Sequence, residues 1–178
     1  MTGKVLIAYA SEHGATAEIA RTIAQILRRN GINAQVSPLR DHPTLADYDA
    51  AVIGSAIYMG HWLQDAVTFL QYNALELAAI PTWIFSSGPT GKGDAVDLIN
   101  KCLIPPDLER VVAEIEPHDV RVFKGRLDLR RVSREEKVIL KAAGVPSGDY
   151  RNWSAIRDWA QNIADFLCNE EIATSERA

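Results

Sequence analysis

The chain has 178 residues, of which 47% are hydrophobic and 24% charged, so it can bury a sizeable core as one globular domain. A formal net charge of −4 argues against nucleic acid as a partner, since that would require a strongly basic face. No apolar run approaches the roughly 18 residues of a membrane span, and no signal-peptide pattern opens the chain, so we expect a cytoplasmic protein. The separated Cys102 and Cys168 predict reduced thiols rather than a disulfide or a zinc site.

Short buried strands alternate with helices along the chain. The nearly all-apolar residues 4–9 predict a strand buried on both faces of a parallel sheet, and apolar residues at helical spacing predict a helix over 16–29. The same patterns predict strands over 34–37, 48–54, 81–87 and 120–123, and helices over 62–72, around Leu98, and over 154–167. This alternation is typical of an open α/β sheet. We therefore predict a single domain over residues 1–178, with a frayed polar tail from about residue 169.

A basic insert of about residues 126–150 separates the fifth strand from the closing helix. Residues 126–141 carry six basic and three acidic side chains, a net charge of +3, which leaves −7 for the rest of the chain. Val132, Ile139 and Ala143 lie at helical spacing and predict an amphipathic helix. Two roles remain open for it. It can cover one end of the sheet with its cationic side in water, or dock on an acidic partner or, peripherally, on an anionic membrane surface.

Three loops form the candidate site, because ligands of open parallel sheets bind beyond the carboxyl ends of the strands. The first loop has hydroxyls at both ends and a helix N-terminus behind it, so it can cradle an anion with neutral donors. The alternative is that its hydroxyls only cap the helix. The three loops are Ser11-Glu12-His13-Gly14-Ala15-Thr16, then Ser55-Ala56-Ile57-Tyr58-Met59-Gly60-His61, then Ser87-Gly88-Pro89-Thr90-Gly91-Lys92-Gly93-Asp94.

The first loop, Ser11-x-His13-Gly14-x-Thr16 after a buried strand, resembles the phosphate loop of flavodoxins, Ser/Thr-x-Thr-Gly-x-Thr, with His13 in place of a hydroxyl. The second and third loops resemble those that flavodoxins lay against the isoalloxazine ring. The resemblance covers residues 4–125 and the closing helix. It implies a flavodoxin-like fold of five parallel strands in the order 2-1-3-4-5, with helices on both faces and FMN where the strand order reverses.

The end of the chain resembles a narrower branch of this family. Arg151-Asn152-Trp153 before the last helix, Val122-Phe123-Lys124-Gly125-Arg126-Leu127-Asp128 after the fifth strand, and the long insert resemble menaquinone-dependent protoporphyrinogen dehydrogenases. The resemblance implies an FMN-dependent oxidoreductase that oxidises a porphyrinogen-like small molecule with a quinone acceptor. The alternatives are a non-catalytic electron carrier between redox partner proteins and a binding module without flavin. Dinucleotide-binding and Walker A sites are disfavoured, because GxGxxG is missing after the first strand and Gly93 follows Lys92 where a Walker A loop needs Ser or Thr.

The resemblance also assigns roles around the ring. Flavodoxins offer the flavin a backbone carbonyl beside a glycine, and Gly60 matches that position. Tyr58 and Met59 are candidates to pack on the ring, with ordinary core packing as the alternative. His61 and Lys92 are balanced only by Asp94, which favours an easier second reduction than in a low-potential electron shuttle. No catalytic side chain beyond the flavin and no metal site are implied.

Overall fold

The computed structural model describes residues 3–99 and 103–175, with side chains as far as residue 169, so Cys102 lies outside the described residues. Its central sheet has five parallel strands, which are β1 (Lys4–Ala10), β2 (Asn33–Pro38), β3 (Ala50–Tyr58), β5 (Thr82–Ser87) and β6 (Asp119–Phe123). Their order, β2-β1-β3-β5-β6, confirms the predicted order of five parallel strands. The two-residue β4 (His61–Trp62) is additional and pairs antiparallel with the end of β3.

Helices cover both faces of the sheet, as predicted. α1 (Ala15–Arg29) and α7 (Trp153–Ser175) pack on one face, while α2 (Gln64–Tyr72), α3 (Ala74–Ala78) and α5 (Glu109–Ile115) cover the other. Successive strand residues point to opposite faces of the sheet. Val5 and Ile7 therefore pack in the core beneath α1 and α7, and Leu6 and Ala8 pack in the core beneath α2, α3 and α5. The all-apolar character of β1 is thus explained by burial on both sides.

Two helix boundaries differ from the prediction. The helix predicted over 62–72 begins at Gln64, because Trp62 lies in β4 and its indole donates to Ser86 Oγ at 2.9 Å. The closing helix continues to Ser175, eight residues beyond its predicted end at residue 167. No glycine or proline occurs after Leu167 to stop the helix. The helix predicted around Leu98 is the short α4 (Ala95–Leu98).

The insert is a closed loop attached to the end of β6. Its two ends, β7 (Arg126–Leu127) and β8 (Gly148–Asp149), pair antiparallel and hold the segment that contains α6 (Arg134–Ala142). Ser133 begins α6 with a capping box, since Ser133 Oγ accepts the Glu136 N–H at 3.1 Å and the Glu136 carboxylate accepts the Ser133 N–H at 2.8 Å. None of the α6 residues is buried, so this helix packs far less tightly than the helices on the sheet.

Candidate functional site

The carboxyl ends of β1, β3 and β5 bring the three predicted loops around one cavity of about 970 Å³. Parallel strands deliver these loops to the same edge of the sheet, next to the N-terminus of α1. The predicted residues that line the cavity are Ser11, Glu12, His13, Ala15, Thr16, Ala56, Ile57, Tyr58, Met59, Gly60, Ser87, Gly88, Pro89 and Thr90.

The other predicted residues, Gly14, Ser55, His61, Gly91, Lys92, Gly93 and Asp94, do not line the cavity. Ser55 is fully buried, and its hydroxyl accepts the N–H of Leu63 at 3.1 Å. Asp94 caps α4 by accepting the Val96 N–H at 2.8 Å. His61 is 3.6 Å from the carboxylate of Asp107. The structure thus separates residues that line the cavity from residues that shape the loops around it.

The first loop ends in an uncapped helix. Gly14 is the N-cap residue of α1, with a φ of 85° that favours glycine, and its own N–H donates to Ser11 Oγ at 3.0 Å. Since glycine has no side chain, no side chain at this position accepts a hydrogen bond from the first turn of α1, and only the Gly14 carbonyl accepts one, from the Glu18 N–H at 3.1 Å. N–H groups of this kind, at the positive end of the helix dipole, are suited to an anion.

The second loop is a tight hairpin between β3 and β4. Met59 (φ 49°) and Gly60 (φ 86°) form its two-residue turn, with the positive φ values of a type I′ turn. Met59 lies at the tip with 88% of its surface exposed. Tyr58 points to the first loop, where its hydroxyl is 2.7 Å from His13 Nε2. Burial raises the pKa of the Tyr58 phenol, and the negative charges of Glu136 and Glu12 raise it further.

The third loop contributes a close backbone approach and an unpaired hydroxyl. A Cβ on Gly88 would lie 2.8 Å from the Ile57 carbonyl oxygen, and one on Gly125 would lie 3.0 Å from the Gly88 Cα, so these backbones touch. Thr90 Oγ1 is buried and has no hydrogen-bond partner among the described residues. A buried hydroxyl without a partner is costly, which makes it a candidate contact for a polar ligand atom.

A fourth wall of the cavity comes from segments that sequence reasoning did not assign to the site. Ile139, Leu140 and Ala143 belong to α6 or follow it directly, so the helix covers the cavity with its apolar side. The amphipathic spacing of the insert predicts a helix with an apolar side. It does not predict that this side faces the three loops. The further lining residues are Leu98, Ile99, Pro105, Pro106, Gly125, Arg126, Leu127, Glu136, Gly144, Val145 and Pro146.

An ion-pair network fastens the insert to α1. The Arg151 guanidinium, only 2% exposed, donates to Asp149 at 2.8 and 2.6 Å and to Glu18 at 2.8 Å. Arg126 donates to both oxygens of Glu18 at 2.8 and 3.2 Å. Burial alone would raise the pKa of Glu18, but the hydrogen bonds from Arg151 and Arg126 together hold it below its ordinary value. Arg151 also lies 4.4 Å from the Trp153 ring centroid, a cation–π contact.

The described part of the chain contains neither a membrane-spanning helix nor a metal cluster. None of its helices has both the length and the apolar character that a membrane crossing requires. Nor does any group of three or more His, Cys, Asp and Glu side chains come together there as a metal site.

Comparisons with known proteins agree with this architecture. A family model described as a flavodoxin domain matches residues 6–150. A curated protein from Leishmania major, named protoporphyrinogen IX dehydrogenase [quinone], is 27% identical over 174 residues, which cover 90% of this chain and 74% of that protein. The protein of the same name from Escherichia coli K12 is 33% identical over 85 residues, or 47% of each chain.

A solved structure described as a flavodoxin from the domain Archaea superposes with a TM-score of 0.57. The match covers 92% of this chain and 98% of that flavodoxin at 13% identity, so it bears on the fold alone.

Proposed function

Because the chain belongs to the flavodoxin domain family, we propose that it is an FMN-dependent oxidoreductase that takes a porphyrinogen-like substrate and a quinone acceptor. The observation that carries the proposal is the convergence of three loops, an uncapped helix N-terminus and an unpaired buried hydroxyl on one cavity. Bound FMN supplies the exchange of one or two electrons. The side chains and backbone groups of this chain would bind and orient the cofactor and limit the entry of water.

The described residues fit the two chemically distinct parts of FMN. The first loop suits the phosphate, because the first-turn N–H groups of α1 and the Ser11 and Thr16 hydroxyls lie at the positive end of the helix dipole. The second and third loops suit the ring, with Tyr58 and Met59 as apolar contacts and Thr90 as a polar contact.

Two features of the cavity, one in the second loop and one in α6, are suited to redox chemistry. Apart from Gly60 and its two chain neighbours, no heavy atom of the described residues lies within 4 Å of the position that a Cβ on Gly60 would take, so this peptide has room to change its orientation and to present its carbonyl or its N–H. The apolar side of α6, with Ile139 and Leu140, covers the same cavity and limits the entry of water.

The substrate and acceptor are proposed from two relatives whose printed names are protoporphyrinogen IX dehydrogenase [quinone]. Porphyrinogens and quinones both present broad apolar surfaces. The cavity wall formed by Leu98, Pro105 and Ile139 offers matching apolar contacts.

Flavin binding is the first test. FMN should be retained on gentle purification, or should bind to the flavin-free protein with quenching of its fluorescence. A colourless protein that leaves the fluorescence of excess FMN unchanged would overturn the proposal.

The reaction is tested separately with the FMN-loaded protein. We expect oxidation of protoporphyrinogen IX with reduction of a menaquinone analogue in steady-state assays, and no turnover without FMN. FMN-loaded protein that exchanges electrons only with redox proteins would instead indicate the electron-carrier alternative.

A further inference from the structure

We infer that Arg131 of the insert is a cationic ligand of the FMN phosphate, which makes the insert part of the cofactor site. The inference rests on the proposed function, because it assumes that FMN binds with its phosphate at the first loop. Arg131 lies outside the three loops that resemble those of flavodoxins, and it does not belong to the cavity lining described above.

The first loop itself contains no lysine or arginine to pair with a phosphate. Its charged residue is Glu12, and Glu136 of α6 lines the same cavity, so two carboxylates face the space beside the loop. Neutral N–H and hydroxyl donors must therefore bind a phosphate against this negative background. A cation supplied from elsewhere in the fold would offset it.

Arg131 lies at the required place. Its Nη1 is 3.9 Å from the position that a Cβ on Gly14 would occupy, so the guanidinium is beside the N-cap of α1. Hydrogen bonds define the backbone turn that carries this residue, since the Asp128 carbonyl accepts the Arg131 N–H at 2.9 Å and the Asp128 carboxylate accepts the Arg130 N–H at 3.0 Å. The side chain is 57% exposed and has room to adjust to a ligand.

Among Arg126, Arg130, Arg131 and Arg151, the charge of Arg131 is paired least closely with a carboxylate. Arg126 and Arg151 each donate to Glu18 at 2.8 Å, and Arg151 donates to Asp149 as well. Asp128 is held by Arg130 at 3.0 and 3.1 Å, whereas Arg131 reaches Asp128 only at 4.0 Å. Of these four arginines, Arg131 is therefore the one whose charge is most available to an incoming anion.

The experiment compares Arg131→Gln with Arg130→Gln, using FMN and riboflavin as probes. Both variants remove one positive charge from neighbouring exposed positions, but Arg130 is 90% exposed and directed to Asp128. Riboflavin has the same ring as FMN without the phosphate. We expect Arg131→Gln to weaken FMN binding about tenfold and to leave riboflavin binding within about twofold of wild type. Arg130→Gln should leave the binding of both flavins within about twofold.

Two further measurements sharpen the test. Arg131→Lys keeps the charge and should recover part of the lost FMN affinity. Added salt should weaken FMN binding by the wild type more than by Arg131→Gln, because an exposed ion pair is screened.

The assignment to Arg131 is overturned if Arg131→Gln and Arg130→Gln bind FMN alike, or if Arg131→Gln loses FMN and riboflavin affinity equally. A wild-type protein that binds no FMN overturns the proposed function and this inference together. Wild-type binding of FMN with equal affinities of the two variants overturns the Arg131 contact alone.

Discussion

Two buried threonine hydroxyls differ in whether they have hydrogen-bond partners. Thr82 Oγ1, at the start of β5, donates to the carbonyls of Leu77 at 2.9 Å and Ile80 at 3.1 Å. Thr90 Oγ1, at the edge of the cavity, is buried without a partner among the described residues. The first hydroxyl stabilises the folded chain, whereas the second lowers its stability until a ligand offers a hydrogen bond.

Thr90→Val should therefore change stability and flavin binding in opposite directions. Valine keeps the shape of threonine and removes the unpaired hydroxyl, so the flavin-free protein should gain about 1 kcal/mol in its free energy of unfolding. FMN binding should weaken about three- to tenfold through the lost contact. Urea unfolding and fluorescence titration measure the two effects.

Thr82→Val is the matched control for this substitution. It removes a satisfied hydroxyl from the other end of the same segment and should lower the free energy of unfolding by about 1 kcal/mol. A Thr90→Val protein that is destabilised to the same extent would show that the Thr90 hydroxyl already has a favourable environment.

The β3–β4 hairpin stores backbone strain at the scale of one element. Met59 has a φ of 49°, a conformation that costs an ordinary side chain about 1–2 kcal/mol. Its side chain is 88% exposed at the tip and buries little surface to offset that cost. The turn has the geometry for which Asn-Gly is preferred, and Gly60 already fills the second position.

Met59→Asn should accordingly stabilise the flavin-free protein by about 0.5–1 kcal/mol, measured by urea unfolding. Met59→Leu is the control, since leucine keeps an apolar side chain without relieving the strain, and its stability should match the wild type. Equal stability of Met59→Asn and Met59→Leu would contradict a strained turn at this position.

The elements differ in how far sequence predicts them. The strand β1 was predictable because burial on both faces leaves an uninterrupted apolar run. The β4 hairpin was not, since Met59-Gly60 lacks the usual Asn-Gly signal. β7 and β8 have two residues each and no pattern of their own. The amphipathic spacing predicted a helix in the insert, but of its three residues only Ile139 lies within α6, since Val132 precedes the helix and Ala143 is its C-cap. The place of α6 over the cavity depends on distant contacts such as that of His13 with Glu136 at 3.5 Å.

At the scale of the whole molecule, one ionic network connects segments far apart in the chain. Glu18 belongs to α1, Arg126 and Asp149 to the paired ends of the insert, and Arg151 to the segment before α7. The sequence analysis named Arg151 only as part of the resemblance of Arg151-Asn152-Trp153 to menaquinone-dependent protoporphyrinogen dehydrogenases. Its pairing with Glu18 could not be predicted, because 133 positions separate the two residues and no local pattern relates them.

This network predicts how stability depends on pH. Hydrogen bonds from Arg151 lower the pKa of Asp149, and the arginines together lower that of Glu18 despite its partial burial. The ordinary values are 3.8 and 4.5, so on acidification the unfolded chain binds protons before the folded chain does. The contribution of both carboxylates is therefore complete above the ordinary values of 4.5 and 3.8 and declines as the pH falls below them toward the lowered pKa values of the folded chain.

Arg151→Gln tests the network in urea unfolding at a series of pH values. At pH 7 it should lower the free energy of unfolding by about 1–2 kcal/mol, a modest loss because Glu18 and Asp149 are partly exposed and can be hydrated. Between about pH 5 and 3 its stability should decline less steeply than that of the wild type. Arg40→Gln, which removes an exposed arginine, should keep the wild-type slope. If Arg151→Gln keeps that slope as well, the lowered pKa values do not arise from Arg151.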